Sequence, residues 1–112
     1  MNWWCSQLIQ AMCSRGYKII FVTGREGTPE VIQATNVWLQ NNFCEQWLGI
    51  NTAIYFREAY DYREDYIIKK EIYYNNIKSD YDILFVVDDR KQVVDMWRGL
   101  NLTVLQCAEG NF

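Results

Sequence analysis

The chain of 112 residues contains no histidine. Without an imidazole there is no His-based triad, no zinc site of the His type and no imidazole acid–base catalysis. Any acid–base work must fall to carboxylates, Lys or Tyr. A basic surplus is also missing: 11 Lys and Arg stand against 14 Asp and Glu, a formal charge of -3. Nothing advertises a long nucleic-acid groove, although a small site for one strand end needs no such surplus. The cysteines Cys5, Cys13, Cys44 and Cys107 include no CxxC pair and lie in apolar surroundings. They read as buried, reduced thiols of a cytoplasmic protein rather than as a disulfide framework. The N-terminus carries Trp3 and Trp4 but neither a basic leader nor a long apolar stretch. No segment is long enough to span a membrane, and no signal peptide is expected.

What is present is a globular composition: 50% hydrophobic residues, with five Trp and eight Tyr. This length suits one domain. Apolar residues at Trp4, Cys5, Leu8, Ile9, Met12 and Cys13 have helical spacing, and Gly16 suits the stop. Lys18–Val22 reads as a buried strand ending at Thr23-Gly24-Arg25-Glu26. Thr28-Pro29-Glu30 starts a helix with Pro at its first position, running to about Asn42 with Ile32, Trp38 and Leu39 inward. A loop at 44–51 holds Trp47 and Leu48, then Ala53–Arg57 reads as a short strand. Asp65–Ile77 reads as a helix with Ile68, Ile72 and Tyr73 inward. Ile83–Val87 is an apolar run too continuous for a sheet with one wet face. A helix at Lys91–Leu100 around Val93, Val94 and Trp97 follows, and Thr103–Cys107 is a last strand. Strands alternating with helices imply α/β architecture, a parallel sheet with right-handed crossovers.

The densest chemistry is at the end of Ile83–Val87, where Asp88 and Asp89 stand side by side. In open α/β sheets, chemistry gathers where strands end and helices begin. Adjacent carboxylates there repel unless a cation lies between them, and hard divalent cations take oxygen ligands. A Mg²⁺ site is the first reading; Asp89 as a helix N-cap with Asp88 solvated is the plain one. Thr23 follows the first strand, and Lys69 sits one turn into a helix after Asp65. A hydroxyl, an ammonium and a metal-binding carboxylate pair are what a phosphoryl group needs around it. Each has an ordinary alternative: Thr23 a turn residue, Arg25 a surface Arg, Asp65 a helix N-cap, Lys69 a solvated Lys. Lys70 is the better choice for the solvated one. The Trp and Tyr residues on helical faces read as core or rim, not as a stacking platform.

Val22-Thr23-Gly24-Arg25-Glu26, then Arg57, Asp61, Arg63, Asp65 and Lys69, then the run Asp88-Asp89-Arg90-x-Gln92-Val93-Val94-x-Met96-Trp97-Arg98, and the ending Gly110-Asn111-Phe112, form an ordered series over essentially the whole chain. In order and spacing the chain resembles the haloacid dehalogenase (HAD) phosphohydrolases, in particular the 3′-phosphatase domains of bacteriophage polynucleotide kinase/phosphatases. The resemblance implies a Rossmann-like three-layer sandwich with a parallel sheet and a Mg²⁺-dependent phosphomonoesterase. Its substrate would be a 3′-phosphorylated polynucleotide end or a small phosphomonoester, in DNA or RNA repair in a host cytoplasm. By the same resemblance Thr23 hydrogen-bonds a phosphoryl oxygen, Lys69 neutralises charge there, and Asp88 and Asp89 hold Mg²⁺. Arg25 and Asp65 also fall on active-site positions of the family.

The chain departs from the family at its first motif, a strand ending in Asp-x-Asp whose first Asp is the nucleophile. The Asp80-Tyr81-Asp82 here precedes a strand and lies at the wrong place in the order. No phosphate loop of the Gly-x4-Gly-Lys-Ser/Thr kind is present either, so no kinase half is expected. The 112 residues therefore read as a HAD-like domain incomplete at its N-terminal side, lacking the first central strand and inactive alone. A buried strand contributes several apolar side chains at roughly 1.5–3 kcal/mol each, against a whole-domain stability of about 5–15 kcal/mol. The chain then closes the gap, takes a strand from a partner chain, or is marginally stable. The other functional reading is a non-catalytic phosphate- or nucleic-acid-end binder, or one subunit of a split enzyme.

Overall fold

Trp3–Ser14 forms the first helix, α1, and it stops because Gly16 turns left-handed at φ 87°. Tyr17 N–H then donates to the Met12 carbonyl and Gly16 N–H to that of Cys13, closing the helix end with its last carbonyls satisfied. The structure, a computed structural model, describes residues 3–42 and 52–110. The chain divides into two compact units, Met1–Asp61 and Tyr62–Phe112.

In the first unit, α1 leads to strand β1 (Ile19–Glu26), helix α2 (Pro29–Asn42) and strand β2 (Thr52–Arg57). β1 and β2 pair in parallel from Ile19↔Thr52 to Thr23↔Phe56, and pairing resumes at Glu26↔Arg57. β1 is thus longer than the expected Lys18–Val22. Gly24 and Arg25 are extra residues bulged out of the ladder rather than a turn that ends the strand. The ladder resumes because Gly27 N–H reaches the Arg57 carbonyl at 2.6 Å. That approach needs glycine: a Cβ at position 27 would sit 3.0 Å from Phe56 Cβ and 3.2 Å from the Arg57 oxygen. α2 begins as the sequence implies, with Thr28 Oγ1 accepting from Val31 N–H ahead of Pro29. Its inner face is Val31-Thr35-Leu39, of which Leu39 is buried. Ile32 and Trp38, expected inward, are exposed, because they flank that four-residue stripe. A polar Thr35 at the centre of the face hid it from a hydrophobicity reading. Cys44, Trp47 and Leu48 lie outside the described residues.

In the second unit, helix α3 (Asp65–Ile72) runs directly into a π-helical turn, Tyr73–Ile77. Lys78 N–H bonds the Tyr73 carbonyl five residues back. The π turn takes up one residue more than an α turn, and so Ile77 joins Ile68 and Ile72 as buried. Arg63 grips Glu71 through two parallel contacts of 2.6 and 2.7 Å and ties the approach to α3. Strand β3 (Val86–Asp88) pairs in parallel with β4 (Val104–Gln106), and helix α4 (Lys91–Gly99) connects them. Val93, Val94, Trp97 and Val104 form the core, with Tyr73, Val86, Met96, Leu100 and Leu102 packed on it.

All described strand pairs are parallel, in two two-stranded ladders, β1-β2 and β3-β4. The expected fully buried strand at Ile83–Val87 is corrected. The ladder begins only at Val86, whose partner strand is three residues long; residues of β3 are half-buried, and Leu84 is exposed. Cys5, Cys13 and Cys107 are not disulfide-bonded. Cys13 is buried and Cys5 half-buried, and burial pushes both thiols up. Cys107 is exposed, contrary to the expected burial, because the chain leaves the ladder there after its N–H reaches the Asp88 carbonyl. No helix among the described residues is long and apolar enough to cross a membrane.

Val94→Ala should cost about 2 kcal/mol in urea unfolding, since Val94 is fully buried; Leu84→Ala should cost no more than about 0.5 kcal/mol. Alkylation followed by peptide mapping should modify Cys107 well before Cys13, since a raised pKa and burial both deplete accessible thiolate.

Candidate active site

The second unit gathers four charged side chains at the carboxyl end of β3. Asp65 and Lys69 are one turn apart on α3, so they share a face. Lys69 Nζ lies 3.6 Å from Asp65 Oδ2 and 3.5 Å from Asp88 Oδ2. Arg90 Nη1 approaches Asp65 Oδ2 at 3.4 Å. The side chains of Asp65, Lys69 and Asp88 are only 10–13% exposed. Lys69 is therefore not the solvated helix Lys of the plain reading; its neighbour Lys70 is exposed. Two carboxylates and two cations balance within this set. The distances are those of charge neighbours rather than tight hydrogen-bonded pairs.

Asp88 and Asp89 are adjacent but differ in environment. Asp88 Oδ1 accepts the N–H groups of Asp89 (2.8 Å) and Arg90 (3.4 Å), and its Oδ2 faces Lys69 (3.5 Å) and the Trp97 indole N–H (3.4 Å). Asp89 is exposed, and its carboxylate has no hydrogen bond or ion pair with a described residue. The plain reading of Asp89 as N-cap is overturned: the cap position of α4 is Arg90, with no side-chain cap bond. Asp65 is likewise not an N-cap, since Glu64 holds that position and Asp65 is the first helical residue. There its negative charge faces the positive end of α3.

In the first unit, Thr23-Gly24-Arg25 forms the bulge of β1. Thr23 Oγ1 accepts Arg25 N–H at 3.2 Å, which pins the side chain and leaves the hydroxyl hydrogen to donate elsewhere. Arg57 braces the bulge from β2. Its Nε donates to the Gly24 carbonyl at 2.9 Å and its Nη1 to the Asp61 carbonyl at 3.0 Å. Arg25 is exposed.

The sequence-derived residues thus fall into two groups. Asp65, Lys69, Asp88 and Asp89 are in the second unit, the first three in one contact set. Thr23 and Arg25 are in the first, on a braced bulge. Sequence reasoning assigned no role to Arg90, Trp97 or Arg57. The signal for Arg90 was its place directly after the two acids; for Trp97 it was the Val93-Val94-Trp97 face, which turns its indole back toward Asp88. The acid pair offers oxygen donors only, one fixed and one open. Among the described residues no group of three His, Cys, Asp or Glu is placed to hold an ion. This set fits Mg²⁺, which keeps several waters and takes one or two carboxylates plus phosphate oxygens, and not a metal that needs a full protein cage.

The family described as the polynucleotide kinase PNKP phosphatase domain matches residues 1–112. A putative bifunctional polynucleotide kinase/RNA ligase of Autographa californica nuclear polyhedrosis virus is 31% identical over 84 residues, which cover 75% of this chain and 11% of that protein. Two solved structures of the Pnkp1/Rnl/Hen1 complex, one described as an RNA repair complex, contain a chain with the same fold. The first superposes with a TM-score of 0.87 at 34% identity, over 100% of this chain and 34% of that one. The second has a TM-score of 0.86 at 34% identity, over 100% and 36%. The chain therefore spans a minor part of the relatives it matches.

Replacing Lys69 by Met leaves two mostly buried carboxylates without their shared cation. Urea unfolding should show a loss of about 3 kcal/mol. Lys70→Met, on the exposed side, should stay within about 0.5 kcal/mol.

Proposed function

The chain belongs to the phosphatase-domain family of polynucleotide kinase, of HAD type, and from that we propose that it forms part of a Mg²⁺-dependent phosphomonoesterase acting on the 3′-phosphate end of a polynucleotide. One observation carries the reading: a cation, Lys69, is held between Asp65 and Asp88 beside an open carboxylate, Asp89. A phosphate ester requires charge stabilisation on its oxygens and a hard metal ion; this set offers an ammonium for the first and carboxylate oxygens that would take the second. A putative polynucleotide kinase/RNA ligase and an RNA repair complex among the relatives favour RNA as the polynucleotide.

In this reading Asp88 and Asp89 hold Mg²⁺. The ion, when bound, polarises a phosphoryl oxygen and offsets its charge. Lys69 sets an ammonium toward the same group, and Asp65, which also pairs with Arg90, holds Lys69. By the family's pattern Thr23 would hydrogen-bond a phosphoryl oxygen, and Arg57 braces the bulge beside it. Arg25 lies on the exposed side of that bulge, where its guanidinium suits a phosphate of the strand. No described residue is placed to attack phosphorus, because none of the described strands ends in Asp-x-Asp. We assign that step to a segment or partner chain that supplies such a strand.

The 112-residue chain should show no Mg²⁺-dependent release of phosphate from 3′-phosphorylated oligonucleotides. Positioning and charge stabilisation do not replace a nucleophile in line with the leaving group. Adding a segment with a strand ending in Asp-x-Asp, in cis or as a separate peptide, should produce turnover. Asp88→Ala with Asp89→Ala should abolish it. Steady turnover by the unextended chain that survives an Asp88→Ala control excluding contaminants would overturn the reading.

A further inference from the structure

Trp97 takes no part in the phosphate chemistry argued so far, yet its indole N–H ends on Asp88. The ring is 4% exposed, and Nε1 lies 3.4 Å from Asp88 Oδ2. A buried indole N–H needs an acceptor, and this carboxylate oxygen is its partner. The ring is itself locked. Tyr73, the first residue of the π turn, meets it edge to face at 5.9 Å and 81°. Val93, Val94 and Val104 belong to the same buried cluster. The donor therefore sits on a rigid plane whose direction is set by the core.

Asp88 needs such a donor. Two backbone N–H groups hold Oδ1, but among the described residues Oδ2 otherwise faces only Lys69, which is shared with Asp65 at nearly equal distance. A flexible ammonium divided between two carboxylates does not define the rotation of either. The Trp97 N–H does. We propose that Trp97 is a positioning residue: its indole N–H sets the orientation of the Asp88 carboxylate and thereby the affinity of the Asp88-Asp89 pair for a divalent cation. The proposal rests on the reading of that pair as a metal site. Hydrogen-bond partners of ligating groups of this kind typically govern affinity by about 10–100-fold.

The test uses the full chain and Mn²⁺ as the probe, with free ion counted by electron paramagnetic resonance. Wild type, Trp97→Phe and Asp88→Asn are compared, with a thermal unfolding curve for each. A second measurement follows the indole ¹⁵N–¹H resonance of Trp97, assigned by its proximity to the Tyr73 ring, as Mg²⁺ is added. Trp97→Phe should bind Mn²⁺ at least about tenfold more weakly while still unfolding cooperatively. The Trp97 indole resonance should move in Asp88→Asn and on adding Mg²⁺, a signature that a purely structural tryptophan would not give. If Trp97→Phe does not fold, the indole shifts in the two chains that keep Trp97 decide. Wild-type affinity in Trp97→Phe, or an indole resonance indifferent to Asp88→Asn, overturns the positioning role and leaves the metal reading standing. Absence of Mn²⁺ binding by the wild type overturns the metal reading, and the proposal with it.

Discussion

The second unit is organised around one shared ammonium. Lys69 can stand between Asp65 and Asp88 only if the first turn of α3 lies at the carboxyl end of β3. Two mostly buried carboxylates in that place repel each other without it, and each would be costly to bury unpaired. Arg90 adds a second cation against Asp65, so the set is balanced and persists in a largely dry setting. The rest of the unit serves that placement. Ile68 and Ile72 fix the rotation of α3, the π turn brings Ile77 to the same side, and the Val93-Val94-Trp97 face seats α4 behind β3.

Against this frame the two acids differ in kind. Asp88 is held by donors from backbone, α3 and α4, while Asp89 is left to solvent. Asp88 is the last residue of β3 and its carboxylate folds back to accept the next two backbone N–H groups, while Asp89 lies beyond the strand with its side chain exposed. That difference leaves a fixed carboxylate beside an open one. In the proposed function the fixed carboxylate gives the site its geometry and the open one its capacity. The first unit uses a different device for a similar end. A bulge in β1 lifts Gly24 and Arg25 out of the ladder just after Thr23, and one guanidinium, Arg57, braces the Gly24 carbonyl.

Much of this was legible before any coordinates. Helix starts and stops followed from local chemistry: Thr28 and Pro29 opening α2, Gly16 closing α1, both determined within a few residues. The inner residues of α4 were legible because its apolar face is narrow and strongly periodic. The inner face of α2 was not, because it carries Thr35 and leaves Ile32 and Trp38 outside. The run Ile83–Val87 suggested a fully buried strand, but hydrogen bonding to a three-residue β4 confines the ladder to Val86–Asp88. Hydrophobicity reports what a strand can bury, not how long its partner is.

The sequence by itself determined the order of elements, the parallel α/β class and the identities of the charged residues. It also determined the family, because these are properties of residue type and spacing along the chain. It determined that Asp65 and Lys69 share a face, since one helical turn separates them. The tertiary structure decided that Lys69 also meets Asp88, nineteen residues on, and that Trp97 turns its N–H to the same oxygen. It decided that Thr23 sits on a bulge rather than beyond a strand end. These contacts join elements whose separation along the chain carries no distance information. Only the packing of α3 on α4 and of α4 on β3, and the pairing of β2 with β1, sets them.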